Sequence, residues 1–124
     1  MLSAPIKITL FILGLVVSSF LQAENIDFAR DIQPIFAEHC TTCHGPDEQK
    51  GGLNLTEEES LHGKLKSGKP EDSELLYRIS TQDTDELMPP PEHGSRLKPA
   101  EVALIRQWIS EGAKWSQHLS LIHI

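Results

Sequence analysis

The only two cysteines of the chain stand three residues apart, and a histidine follows the second, giving Cys40-Thr41-Thr42-Cys43-His44. With two cysteines and six histidines in 124 residues, chance gives this arrangement on the order of one time in a thousand. Side chains three apart on a helical turn share a face. Both sulfurs can then reach two vinyl groups on one edge of a haem, with the imidazole carried under its iron. The motif constrains the whole chain, because the fold must wrap a large, flat, apolar group. A redox disulfide leaves His44 without a role and calls for a βαβ pattern that the sequence lacks. A zinc site needs four ligands, and there is no second cysteine pair to complete one.

His44 is expected to bind iron through one ring nitrogen and to donate its other N–H to a backbone carbonyl, with Pro46 in the nearest turn. For the sixth position, Met88 is the only methionine besides the start residue. It lies in Leu87-Met88-Pro89-Pro90-Pro91, a stiff loop whose prolines fix the backbone. Its surroundings of proline and acid argue against a gap-filling role in a core. A soft, neutral thioether favours ferrous iron. His93 is the rival ligand, His62 a weaker one, and His39 lies too near the attachment helix to reach the far face. Tyr77, Arg78 and Arg96 are candidates to meet the haem propionates. Trp108 reads as a core aromatic.

Hydrophobic spacing predicts an all-α fold: three or four short helices and long loops around one covalently bound haem c. Asp31 or Gln33 starts the first helix, with Pro34 in its first turn and Gly45-Pro46 ending the segment. A polar stretch over 47–55 carries a short extended piece at Leu53 and Leu55. Thr56 caps a helical turn through Glu57, Glu58 and Glu59. Asp72 or Ser73 caps a short helix through Ile79, which turns Leu75, Leu76 and Ile79 inward. An extended loop over 81–94 holds Met88. The last helix spans Pro99–Ser110, with Val102, Ile105, Trp108 and Ile109 as its apolar stripe and Gly112 as its C-terminal stop.

Residues 1–23 read as a signal peptide or uncleaved anchor: Lys7 precedes an apolar run over 8–20, short for a membrane span. The domain then covers 24–117. Residues 118–124 include LSLIHI, the translation of a sequencing-library adapter end, and are expected to be a non-native or truncated tail. The protein is expected to be exported, periplasmic or in the cell envelope, touching membrane only through an uncleaved N-terminal segment. A formal charge of −7 argues against nucleic acid.

A wider pattern accompanies the motif: Phe28-x-x-Asp31-Ile32-x-Pro34-Ile35-Phe36, CTTCHGP, Gly51-Gly52-Leu53-x-Leu55, Gly68-Lys69-Pro70-x-x-Ser73-Glu74-Leu75, Arg78-Ile79, Met88-Pro89-Pro90, Glu101, Trp108-Ile109 and Gly112-Ala113. Over 26–115 it resembles a planctomycete-type cytochrome c domain. The resemblance implies a class I cytochrome c fold with haem attached at Cys40 and Cys43, His44 as proximal ligand and Met88 as distal ligand. It also implies a domain that opens a larger exported protein. Lys98 departs from the pattern, standing where a capping Thr or Ser is expected before the last helix. The expected function is electron transfer to a redox partner protein or to downstream domains of the same chain. The alternatives are a peroxidase-like haem enzyme with an exchangeable sixth site, and a relay domain within a larger multidomain enzyme.

Overall fold

The chain enters its first helix through an aspartate. In the computed structural model, which describes residues 3–4 and 25–115, the Asp27 side chain accepts the Arg30 amide at 2.8 Å. The signal segment expected over 1–23 (residues 3 and 4 aside) and the tail over 118–124 lie outside the described residues. Phe28–Ile32 form one π-helical turn that runs into α1, Gln33–His39, with Pro34 in its first turn. Gln33, one of the two expected starts, opens the α-helix. Asp31 does not: it sits inside the preceding turn, where its carboxylate accepts the Asp27 amide at 2.9 Å and the Arg30 guanidinium at 2.8 Å. The Arg30 hydrogen bond chiefly holds its carboxyl below the usual range, against a smaller opposing effect of burial.

Thr56 does not cap the next helix, α2 (Glu58–Leu61), which has no side-chain cap. Buried Asn54 organises that corner instead, its Oδ1 accepting both the amide and the hydroxyl of Thr56 at 3.0 and 2.6 Å. The extended piece expected at Leu53 and Leu55 is preceded by a 3-10 turn, Lys50–Gly52, and only an isolated bridge joins His44 to Gln49. Strands are absent among the described residues.

α3 spans Glu74–Ser80 and buries Leu75, Leu76 and Ile79 as expected. Ser73 precedes it without capping it. Its Oγ turns back to accept the Lys66 amide at 2.9 Å and to donate to the Lys69 carbonyl at 3.0 Å, tying down the loop before the helix. α4 spans Pro99–Ser110, the expected bounds. Lys98 offers no side-chain acceptor, but Glu101 Oε1 reaches back to accept its amide at 2.9 Å, half of a capping box. Past the helix, Gly112 takes φ +109. Its amide bonds to Ile109 and that of Ala113 to Trp108, at 3.0 and 2.8 Å, closing a Schellman motif.

Four α-helices result among the described residues. The π turn and α1 bury Phe28, Ile32, Ile35 and Phe36 against α4, where Trp108 is the core aromatic that its spacing predicts. Trp115, beyond α4, stacks on Phe28 at 3.8 Å between ring centroids. No helix among the described residues is long and apolar enough to cross a membrane.

Candidate functional site

Where α1 ends, the backbone keeps turning. The amides of Cys40 and Thr41 both donate to the Phe36 carbonyl, at 2.9 and 3.0 Å, and those of Cys43 and His44 to the Cys40 carbonyl, at 3.3 and 2.9 Å. The turn needs a glycine directly after it, because a Cβ at Gly45 would overlap the Thr41 carbonyl oxygen. The sequence marked Gly45 only as a helix stop; its position next to the histidine was the available signal for a tighter constraint.

The loop after Gly45 folds back onto the same turn. Lys50 donates its amide to Cys43 at 2.9 Å, and Leu55 donates its own to His44 at 2.7 Å. His44 Nδ1 lies 2.9 Å from the Lys50 carbonyl oxygen. The carbonyl that fixes the ring therefore comes from Lys50 and not from the turn at Pro46. Gly51 and Gly52, at φ +66 and +73, turn the chain immediately beyond it. A carbonyl only accepts, so Nδ1 carries the proton and Nε2 keeps a free lone pair. Across the fold, Met88 is held by its amide, which donates to the Arg78 carbonyl at 2.8 Å.

Cys40, Cys43, His44 and Met88 all line one cavity of about 410 Å³, within the size range of small-molecule and cofactor sites. Leu53, Leu55, Leu75, Ile79, Pro89 and Pro90 supply apolar wall. Of the other histidines, His93 and His39 reach the lining and His62 does not. Of the three residues expected near propionates, only Arg78 does. Tyr77 is 49% exposed and bonded to Glu86, and Arg96 donates to the Thr81 carbonyl at 2.7 Å. Lys50, Lys64 and Glu74 also face the cavity, which sequence reasoning missed because only the closure of the fold sets them beside it.

Both cysteines are free thiols. Burial, helped by the negative charge of Glu101, pushes the Cys40 thiol up to about 12. A low-pKa redox thiol has the opposite environment. Glu101 itself is partly desolvated, which opposes ionisation, yet the Lys98 amide and His39 together hold its carboxyl below the usual value. His39 Nε2 lies 3.1 Å from Glu101 Oε2, joining the end of α1 to the start of α4. On the wall, Glu74 is held below its usual value chiefly by a hydrogen bond from Lys64, against burial and with help from Arg78.

Two thiols beside an imidazole with a fixed ring, a soft thioether and apolar walls make a donor set that fits a haem. Residues 40–92 match the family model described as Planctomycete cytochrome C, a stretch that contains all four donor residues. No curated protein and no solved structure matches the chain.

Proposed function

We propose that the chain, whose residues 40–92 match the Planctomycete cytochrome C family model, carries a planctomycete-type cytochrome c domain and acts as an exported electron carrier with one covalent haem c on His44 and Met88. The observation that carries this reading is the shared cavity: α2 and α3 separate Met88 from the cysteine motif along the chain, yet Cys40, Cys43, His44 and Met88 line one space. When bound, haem supplies a one-electron ferric/ferrous couple. Cys40 and Cys43 would hold it through thioether bonds. His44 presents Nε2, its ring kept from rotating by the Lys50 carbonyl. Met88 presents a thioether that favours the ferrous state and raises the potential. Leu53, Leu55, Leu75 and Ile79 would give it apolar wall that excludes water.

Export is part of the reading, since c-type haem is attached outside the cytoplasm in bacteria and residues 8–20 suit a signal segment. The electron passes to a redox protein or to a downstream domain of the same chain. His93 lines the same cavity and motivates a second reading, a His44/His93 pair, or an open sixth site suited to peroxidase-like chemistry.

The optical spectrum of the purified exported domain, with a pyridine haemochrome assay, tests the proposal. A c-type haemochrome, a low-spin reduced spectrum and a weak red ferric band from sulfur-to-iron charge transfer are expected. Haem without that band moves the sixth position to His93 or opens it. Absence of haem after expression with attachment machinery defeats the proposal altogether.

A further inference from the structure

Two cations on the cavity wall converge on one carboxylate. Lys64, just after α2, and Arg78, in α3, lie 3.2 and 3.4 Å from Glu74, and all three residues line the cavity. Their backbones are fixed independently of those ion pairs. The Lys64 carbonyl accepts the Leu75 amide at 2.8 Å, and the Arg78 carbonyl accepts the Met88 amide at 2.8 Å. Lys50, the third cation of the lining, stands 3.6 Å from Glu48. The Lys64, Glu74 and Arg78 group thus carries one positive charge more than its single carboxylate matches, in a chain whose formal charge is −7. With these side chains 35 to 41% exposed, such pairs add little to fold stability, so stability does not explain their gathering here.

We propose that Lys64 and Arg78 form the seat for a carboxylate of the bound cofactor, with Glu74 holding both cations in place for it. The inference rests on the haem reading above and assigns the propionate edge of that haem to this wall. It also gives Arg78 two roles on two ends of one residue, since its carbonyl positions Met88 while its guanidinium meets the propionate. The remaining titratable groups of the lining outside the donor set, Glu38 and His39 at the end of α1 and His93 beyond Met88, belong to other segments and serve as the background against which the effect is read.

The test uses the haem-loaded protein and its variants Arg78→Gln, Lys64→Gln and Arg78→Lys. The midpoint potential is followed with pH, and the propionate bending modes by resonance Raman. A cation beside a carboxylate lowers its pKa, so its loss should move the inflection of the potential–pH curve upward by about one pH unit. The Raman modes should shift with it, and Arg78→Lys should restore most of the wild-type behaviour. Haem-loaded Arg78→Gln and Lys64→Gln with unchanged curves and unchanged Raman modes would overturn the assignment. If Arg78→Gln does not load, Lys64→Gln decides alone by the same two readouts. Absence of haem from the wild type is a different result, which defeats the parent reading and is seen before any variant is made.

Discussion

The side of α1 that carries Phe36 meets other rings, whereas its end at His39 and Cys40 opens onto the cavity. On the ring side, Phe28, Phe36, Trp108 and Trp115 stand with centroids 3.8 to 6.5 Å apart, and Trp108 is 2% exposed, its indole N–H donating to the Lys114 carbonyl. Direct apolar burial holds that half together. On the cavity side Leu55, Leu75 and Ile79 reach in from the same core, but the loops around the cysteine motif are fixed by backbone hydrogen bonds, helped by Gly45, Gly51 and Gly52. The contrast teaches that one half of this small domain is completed by its own side chains. The other half keeps a cavity that the chain's own side chains leave open.

The largest way to break the comparison is Trp108→Ala. It should cost about 3–5 kcal/mol in denaturant unfolding, by similar amounts with and without haem. A loss confined to one of the two forms would show that the halves are not separate. Gly45→Ala strikes the other side. Overpacking against Thr41 should cost about 1–3 kcal/mol and lower the covalent haem per protein in the haemochrome assay; normal loading and stability would mean the turn yields easily. Gly51→Ala meets open space but keeps φ +66, so its cost, about 1–2 kcal/mol, is one of backbone alone. Gly63→Ala, with open space and no positive φ, is the control and should be near neutral in the same denaturant unfolding.

A smaller effect than those of Trp108 and Gly45 concerns the tie between the two halves. Glu101→Gln should cost about 1 kcal/mol near neutral pH. Because the carboxyl of Glu101 is held below its usual 4.5, its contribution is fully present above that value and is lost as pH falls through the lowered pKa. The stability gap between wild type and variant should therefore close on acidification. A gap that widens toward acid would show that the sign of this interaction is wrong.

What the sequence made legible follows the same division. The Cys-x-x-Cys-His turn and α4 were readable because each is decided locally, the one by spacing and the other by an apolar stripe between Pro99 and Gly112. Asn54 over Thr56, the inward turn of Ser73 and the Lys50 carbonyl on His44 were not, because several nearby groups offered the same hydrogen bond and only loop closure chose among them. The π turn escaped notice because the pattern favoured Asp31 while Asp27 makes the cap. The charged wall of Lys64, Glu74 and Arg78 was only partly visible, since Arg78 stood out beside a helix face but its companions come from a turn and a helix start.

The amide bond from Met88 to Arg78 has a consequence for how the cavity comes apart. His44 is steadied by a carbonyl six residues away, a short circuit that re-forms cheaply after each fluctuation. Met88 hangs from α3 at the far end of a longer loop, and that loop must close again each time it opens. The difference in closure cost is only about 0.5 kcal/mol, so rising temperature or denaturant is expected to open the thioether side slightly ahead of the imidazole side.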